Sequence, residues 1–535
     1  MSKRGRANLA TTLNKEEQLK IDKDGLDVLA DIHRYAQEGF AAIDPGDFIR
    51  FKWYGIYQQK PKTDPYFMMR VKIPGGMLNY EQAVTVAQLA NDFGRGLADV
   101  TTRQAIQYHW LQIEHMPEIF DRLAKVGMSP IQACGDVVRN VISSPVAGLD
   151  AQELFDVRDL VLQVEQLFLS NKEFSNLPRK FKISIAADPR DLGHPEINDL
   201  ALVPALLGDE AGYHVLVGGG LSAKPFLAKN LGIFLRQEEA LDVIKAVVTI
   251  FRDHGYREKR SHARVKFLMA DWGPEKFLEH VEAVTGKTYT RGGVRQTTEW
   301  NGAYLYGVHP QKQAGLNFVG LSLPVGRISG DILLELARLA KKYGNGDLRT
   351  TNTQNIIIPN VADENVEALL AEPLLQTFTA KPNTFIGHAV SCTGNEFCNL
   401  ALVETKERMK SIANYLDETF PNFDTPIRLH VNGCPNSCGQ QQIADIGLAG
   451  ALVRIDGKMQ DAFDISIGGG LGADAKFNRK VVLKVKGDEV QFAIEAIVRY
   501  YEQNREAGES FRSFANRVED DAVKAAVAAA QQARA

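Results

Sequence analysis

Apolar and polar positions along this chain follow two periods, that of a strand and that of a helix, which together predict a mixed α/β protein. Residues 67–73 alternate as a strand does, and residues 80–93 carry apolar side chains at helical spacing until Gly94 ends the run. By the same criteria we expect further strands at 104–113, 183–186 and 465–467, and further helices at 157–168, 241–252, 400–416 and 520–535, the last one Ala-rich and loosely held.

The pattern then repeats itself at a constant distance. Residues 70–106 align without gaps with residues 320–356, so the offset is 250, and prolines, glycines and apolar positions coincide. A second match, HVLVGGGLSA at 214–223 with DISIGGGLGA at 464–473, has the same offset. One offset at two places indicates a duplicated chain. Neither glycine-rich turn has the G-x-G-x-x-G spacing of a dinucleotide-binding loop.

Composition narrows the functional classes. The 535 residues include 62 basic and 66 acidic side chains, a net charge of −4, so the basic excess of a general nucleic-acid binder is absent. The first 25 residues contain no apolar core of an export signal, and no apolar run reaches the ~18 residues of a membrane span. We therefore expect a cytoplasmic protein that binds neither nucleic acid nor a membrane.

Four of the five cysteines lie within 47 residues. Cys392 and Cys398 belong to CTGNEFC, and Cys434 and Cys438 belong to NGCPNSC. Four thiolates are the ligand set of either a 4Fe–4S cluster or a structural zinc ion. Zinc favours tighter cysteine pairs on small modules, so the spacing favours the cluster, with zinc as the alternative. We expect neighbouring backbone amides to donate hydrogen bonds to the sulfurs.

A group of basic residues in the first half forms the second candidate site. Arg103 lies in TTRQ, Arg139 in GDVVRN, and Arg179, Lys180 and Lys182 in LPRKFK. Isolated charges usually lie on the surface, but Arg103 and Arg139 are embedded in apolar sequence, and the second half has TNTQ in place of TTRQ. Lys180 and Lys182, two residues apart on an extended segment, face the same side. Such a group would bind a small oxyanion and supply protons to it.

These motifs together resemble the assimilatory sulfite and nitrite reductases that contain sirohaem and a 4Fe–4S cluster. The resemblance spans about residues 50–515. It implies an α+β fold with internal duplication: two ferredoxin-like half-domains and two larger α/β domains, related by pseudo-twofold symmetry. The implied division is an N-terminal extension (1–60), half-domain 1 (61–126), α/β domain 1 (127–289), a connector with half-domain 2 (290–380), α/β domain 2 (381–518) and a C-terminal tail (519–535).

The resemblance also implies the roles of the cysteines. Cys392, Cys398, Cys434 and Cys438 would bind the cluster, and Cys438 would in addition be the axial ligand of the sirohaem iron. The shared sulfur would couple the two redox centres. A distant alternative is a protein in which an iron–sulfur cluster or zinc ion is purely structural.

For the basic residues the resemblance implies a substrate pocket formed by Arg103, Arg139, Lys180 and Lys182. Family members that reduce sulfite tend to have lysine at the position of Lys182, and nitrite-specific members tend to have asparagine. We therefore expect a six-electron reduction of sulfite to sulfide, with nitrite reduction to ammonia as the alternative. The chain shows no flavin- or NADPH-binding domain, so we expect a partner to supply the electrons. The N-terminal extension and WYGIYQQK resemble those of ferredoxin-dependent members, which implies reduced ferredoxin as the donor.

One further pair concerns the segment WYGIYQQK, which resembles a stretch that wraps over the pocket in this family. Tyr57 in that segment and Cys134, five residues before Arg139, are candidates for a thioether bond. The plain alternative is that Cys134 is a small buried apolar side chain. His109 and His430 lie in strand-like sequence and are expected to be core or hydrogen-bonding residues rather than metal ligands.

Overall fold

The computed structural model describes residues 13–300, 302 and 304–534. The first twelve residues of the expected extension, residues 301 and 303 of the expected connector and the last residue of the expected tail lie outside this range. None of the helices in the described residues has the length and apolarity needed to cross a bilayer.

The strands are, in chain order, β1 (Ile56–Gln58), β2 (Phe67–Val71), β3 (Met77–Leu78), β4 (Leu97–Val100), β5 (Ile106–Leu111), β6 (Ile142–Ser143), β7 (Ile183–Ile185), β8 (Leu200–Leu207), β9 (Glu210–Val217), β10 (Lys229–Leu235), β11 (Val294–Arg295), β12 (Gly307–Pro310), β13 (Leu316–Leu321), β14 (Arg327–Ser329), β15 (Leu348–Thr350), β16 (Ile356–Ala362), β17 (Ala389–Ser391), β18 (Leu429–Asn432), β19 (Ile446–Ile455), β20 (Lys458–Ile467) and β21 (Arg479–Lys486). The α-helices span Lys15–Asp22, Leu29–Glu38, Asp47–Arg50, Tyr80–Phe93, Met116–Lys125, Arg158–Phe168, Ala240–His254, Val265–Thr285, Gly330–Tyr343, Val366–Leu370, Pro373–Thr377, Thr384–Gly387, Lys406–Thr419, Val490–Asn504, Phe511–Arg517 and Asp520–Gln532.

The two half-domains exchange a strand with each other. Their sheets have the orders β1-β2-β5-β4-β14 and β12-β13-β16-β15-β3, so the short β14 of the second half completes the first sheet and β3 of the first half completes the second. Two equivalent glutamines reinforce this seam: Gln104 Nε2 donates to Thr350 O at 3.3 Å, and Gln354 Nε2 donates to Val100 O at 3.0 Å. One hydrophobic core spans both half-domains. The predicted α+β fold and its duplication are confirmed.

The two larger domains also share one design. Their sheets run β10-β9-β8-β7-β6 and β17-β18-β19-β20-β21, and each has its own hydrophobic core. In each sheet three strands are parallel (β6, β7 and β8; β17, β18 and β19), and the remaining pairs are antiparallel. Because parallel strands have their carboxyl ends at the same edge, the loops that follow them meet there.

Most predicted elements are present, with two corrections. The helix expected over 80–93 forms at Tyr80–Phe93, with Asn79 and Gln82 completing a capping box. The helix expected over 400–416 begins only at Lys406. Residues before it form a loop, in which Leu402 N donates to Gly433 O at 2.8 Å, because this stretch is tied to the cysteine segments rather than to its own carbonyls.

The second correction concerns the C-terminal helix. It forms as predicted, at Asp520–Gln532, but it is not loosely held. Val523 and Val527 are buried in the core of the second larger domain, and Arg479 Nε lies 2.6 Å from Asp520 Oδ1. Two valines four residues apart give the Ala-rich stretch a narrow apolar stripe that docks it.

Candidate active site

The four cysteines meet at the carboxyl edge of β17 and β18. These strands are parallel neighbours, with Ser391 opposite Val431. Cys392 follows β17 directly, and Cys434 and Cys438 lie in the loop after β18. Cys398 comes from the loop that precedes helix Lys406–Thr419. Sheet geometry thus brings together two motifs that are separated by 35 residues in the sequence.

The thiols lie close enough to influence one another. Burial, together with the neighbouring Cys438, raises the pKa of Cys392 to about 12. The pKa values of Cys398 and Cys434 are also raised, first by burial and also by Cys438. Buried thiols that repel each other's ionisation need a bound cation to become thiolates, which is the behaviour of metal ligands.

Nearby N–H groups point at the sulfurs, as expected from the sequence. Gly433 N donates to Cys392 Sγ at 3.2 Å, and Asn436 Nδ2 donates to Cys434 Sγ at 3.6 Å. The Leu400 backbone N–H lies against Cys398 and lowers its pKa. Within the described part of the chain, no three His, Cys, Asp or Glu side chains are arranged around a single metal ion. The four thiols with their N–H donors suit the larger, more negative iron–sulfur cluster.

Four of the five predicted basic residues meet two of the cysteines at one cavity, which we call the anion pocket; Arg179 is instead paired with Asp136. The pocket brings the first half of the chain into contact with the second. Its wall includes Arg103, Arg139, Lys180, Lys182, Cys392 and Cys438. Cys438 is exposed, whereas Cys434 is buried. Cys398 and Cys434 lie outside the wall of the pocket.

The two lysines are unpaired cations in this pocket. They flank Phe181, which is buried in the core, so both ammonium groups point the other way, as the two-residue spacing predicts. Neither ammonium has a hydrogen bond or ion pair to any residue within the described ranges. Burial lowers the pKa of Lys180 to about 7, helped by Arg179 and Arg264. Burial and Arg103 lower the pKa of Lys182 well below its ordinary value.

The Lys182 ammonium is unpaired because the carboxylate next to this residue, Asp199, is bound by Arg264. The Lys182 backbone N donates to Asp199 Oδ2 at 2.9 Å, so the carboxylate lies beside it. Arg264 binds that carboxylate with two hydrogen bonds, from Nε at 2.9 Å and from Nη2 at 2.8 Å. A bidentate guanidinium is the stronger partner of a buried carboxylate. The Lys182 ammonium is therefore left for a ligand.

The two arginines are held in place by backbone carbonyl oxygens and by one side-chain amide oxygen. Arg103 Nη2 donates to Asn140 O at 2.7 Å, and Nη1 donates to Asn198 Oδ1 at 2.8 Å. Arg139 donates twice to Gly135 O, at 2.9 Å and 2.6 Å. Burial lowers the pKa of Arg103 to about 9 although Asp199 opposes the shift. Neutral acceptors fix the guanidinium groups without cancelling their charge.

The sequence analysis missed two further cations that line this pocket: Lys406, whose Nζ lies 3.4 Å from Asp99 Oδ1, and Arg70. Arg70 lies on β2 and lines the cavity. Its Nη2 donates to Gln107 Oε1 at 3.0 Å, and its Nη1 lies 3.4 Å from Cys134 Sγ. The signal was present in the repeat: at the offset of 250, Arg70 corresponds to Gly320, just as Arg103 corresponds to Thr353.

Tyr57 and Cys134 are neighbours. The phenol of Tyr57 is in hydrogen-bond contact with the thiol of Cys134, and burial together with this thiol raises the pKa of Tyr57 to about 12. Cys134 is fully buried. The thioether stays a prediction, and a peptide mass lower by two hydrogen atoms would reveal it.

The two histidines singled out in the sequence are buried, hydrogen-bonded residues. His109 Nε2 lies 3.3 Å from Asp99 Oδ2, and His430 Nδ1 lies 3.3 Å from Gln440 O.

Comparison with known proteins identifies the family. The model for the nitrite and sulphite reductase 4Fe–4S domain matches residues 134–289 and 384–529. The model for the nitrite/sulfite reductase ferredoxin-like half domain matches residues 58–126 and 309–375. The chain therefore belongs to the nitrite and sulfite reductase family.

Individual relatives span almost the whole chain. A ferredoxin–nitrite reductase of Synechococcus elongatus is 42% identical over 492 residues, covering 90% of this chain and 95% of the relative. A ferredoxin-type sulfite reductase of Mycobacterium tuberculosis is 36% identical over 533 residues, covering 95% and 96%. The solved structure of the Mycobacterium tuberculosis NirA protein matches with a TM-score of 0.91 at 36% identity, covering 96% of this chain and 97% of that chain.

Family membership defines the chemistry at a coarse level. The protein is an oxidoreductase of the ferredoxin-dependent nitrite and sulfite reductase type, and its cofactors are a 4Fe–4S cluster and sirohaem. The predicted family, enzyme class and cofactors are confirmed. The relatives carry both substrate names, so the choice between sulfite and nitrite rests on the site itself.

Proposed function

We propose that this protein reduces sulfite to sulfide with electrons from reduced ferredoxin. The observation that carries the proposal is the pair of unpaired ammonium groups, Lys180 and Lys182, in the same cavity as the exposed thiol of Cys438. The ferredoxin names of the relatives support the donor.

We further propose that the cluster is held by Cys392, Cys398, Cys434 and Cys438. The Cys438 sulfur would also be the axial ligand of the sirohaem iron, since it alone of the four is exposed and lines the pocket. When bound, the cluster and the sirohaem supply electrons to the substrate in single steps. The N–H donors at the sulfurs offset negative charge and favour the reduced state.

The protein's own part is to bind, orient and protonate the oxyanion. Arg103 and Arg139, fixed by carbonyl oxygens, supply charge at set positions, and Arg70 adds a third guanidinium. Lys180 and Lys182 are donors with lowered pKa values, about 7 in the case of Lys180. A group whose pKa lies near 7 gives up and regains protons readily, which suits a reaction that removes oxygen atoms as water.

Sulfite is favoured because the pocket presents two lysine cations that have no internal partner. Sulfite is a pyramidal dianion, whereas nitrite is planar and carries one charge. Of the six cations in the pocket wall, Lys406 is paired with Asp99, and the other five have no carboxylate partner among the described residues. Five such cations match the higher charge.

Nitrite is the second candidate, and the names of several relatives favour it. The 42% identical relative from Synechococcus elongatus is called a ferredoxin–nitrite reductase. Nitrite would need only part of the same cation set.

A direct assay separates the two substrates. With reduced methyl viologen as donor, kcat/KM is measured for sulfite and for nitrite in the wild type and in Lys182→Asn. We expect the variant to lose about tenfold or more for sulfite, the cost of a charge-assisted hydrogen bond, and to lose less for nitrite. Lys266→Met, which removes a buried lysine outside the pocket, is the control. Equal losses for both substrates would remove the reason for preferring sulfite.

A further inference from the structure

A second cavity, of about 450 Å³, lies beside the anion pocket and shares no lining residue with it. It is bounded by the exchanged strand β3, by its neighbour β15 and by helix Arg158–Phe168. Met77, Leu162 and Leu169 contribute apolar wall. Ile73 also lines this cavity, and its backbone N donates to the side chain of Asn140 at 2.9 Å, so a single layer separates it from the anion pocket.

The feature that calls for a ligand is Arg349. Its side chain lines the cavity, is only 4% exposed and makes no hydrogen bond or ion pair with any residue that the structure describes. Its Nε is buried without a partner. Burial lowers its pKa to about 10, which still leaves it charged at neutral pH. Asp347, which also lines the cavity, raises the pKa of Arg349 but forms no ion pair with it. A buried guanidinium without an ion-pair partner is rare, since such charges are paired in folded proteins.

The other two cations in the wall already have partners. Lys72 Nζ lies 2.6 Å from Glu165 Oε1, and Arg158 Nη2 lies 2.6 Å from Asp156 Oδ2. Among the described residues, Arg349 is therefore the cation of this wall that no ion pair neutralises.

The equivalent position in the first half of the chain shows how a buried charge is stabilised by partners. Asp99 corresponds to Arg349 at the offset of 250, and each pairs with the strand exchanged from the other half. Asp99 is surrounded by opposite charge: Arg327 Nε lies 3.3 Å away, Lys406 Nζ 3.4 Å and His109 Nε2 3.3 Å. Around Arg349, in the second half, an open cavity takes the place of these partners.

We infer that this cavity binds a small organic anion, with a carboxylate or phosphate group against Arg349 and an apolar body against Met77, Leu162 and Leu169. The guanidinium fork matches both kinds of oxyanion. Methionine adapts to ligands of different shape. The volume accommodates a chain of several carbons besides the charged group.

The test uses octyl phosphate, octanoate and inorganic phosphate as probes of the purified holoenzyme, measured by calorimetry. We expect wild type to bind octyl phosphate or octanoate, and the stronger of the two identifies the charged group. Arg349→Met should weaken that binding by about tenfold or more, as for a lost charge-assisted pair. Arg338→Met, which removes an exposed arginine paired with Glu335, should leave it unchanged.

A second variant covers the case in which Arg349→Met does not fold. Leu162 is 43% exposed, so Leu162→Trp has room to be accommodated while filling the cavity. It should abolish binding with Arg349 intact. The inference is overturned if wild type binds neither octyl compound, or if both variants bind it as wild type does. If inorganic phosphate binds as tightly as octyl phosphate, the inference that the ligand has an apolar body is wrong.

Discussion

Each of the two larger domains has its own sheet, and the equivalent edges of the two sheets serve different functions. After β7 the chain reads DPRDLG (188–193), and after β18 it reads CPNSCG (434–439), with proline and glycine at the same places. The second loop supplies Cys434 and Cys438, whereas the first has Asp188 and Leu192 at those positions. Of these two equivalent loops, only the one in the second larger domain carries thiols.

The cations near these loops also differ between the two domains, and here it is the first domain that carries the free charge-binding group. Lys182 and Arg428 each precede a parallel strand, and each donates its backbone N at 2.9 Å to an aspartate, Asp199 or Asp445. Arg428 also binds its own Asp445 through Nε at 2.7 Å, so its charge is cancelled. In the first half Arg264 binds Asp199, and the side chain of Lys182 is left without a partner among the described residues. The duplication thus separates electron storage from anion binding by changing which cation takes the aspartate.

The strongest test of the comparison replaces the thiol that joins the two functions. Cys438→Ala should reduce methyl viologen-driven turnover to background and remove the long-wavelength chlorin band, because no side chain then links the cluster to the pocket. Leu192→Met, at the equivalent place in the first half, is the control and should leave the spectrum unchanged. An intact spectrum in Cys438→Ala would disprove the bridging role.

A smaller effect is expected from making the first half resemble the second. In Arg264→Met the Asp199 carboxylate loses its partner and captures the ammonium of Lys182. We expect KM for sulfite to rise about tenfold or more, with a smaller change in kcat, because substrate loses a charge-assisted bond.

The control for that variant is the double change Arg264→Met with Asp199→Asn, which removes the competing carboxylate. It should recover much of the affinity. If KM is the same in wild type, single and double variants, Lys182 is not freed by Arg264.

The smallest effect concerns pH. Anion binding favours charged Lys180 and so raises its pKa; affinity is therefore greatest below the free-enzyme pKa and is lost as the pH rises through it. That pKa is about 7 in the protein alone, and the carboxylates of bound sirohaem raise it, so KM should increase above pH 7.

Nitrite is the better probe for this measurement because, unlike sulfite, it does not itself titrate near neutral pH. In Lys180→Arg the guanidinium stays charged, so the rise in KM should disappear. A rise of the same size in this variant would assign the titration to another group.

Local sequence predicted much of this molecule. Strand β2 and helix Tyr80–Phe93 follow from periodicity and capping, which act over a few residues. The boundary at Lys406 was missed because the stretch before it is stabilised by Gly433 and not by its own turns. Arg70 was missed because its role depends on Gln107 and Cys134 on other elements.

By itself, the sequence determined the duplicated α/β pattern, the set of four thiols and the group of cations, since spacing and periodicity are properties of short segments. Only the tertiary structure decided that these cations share a cavity with Cys438, that Lys182 is free because Arg264 occupies Asp199, and that Arg349 has a cavity where Asp99 has partners. Each of these depends on charges that are distant in the chain and are paired or left unpaired only after burial has removed water as the alternative partner.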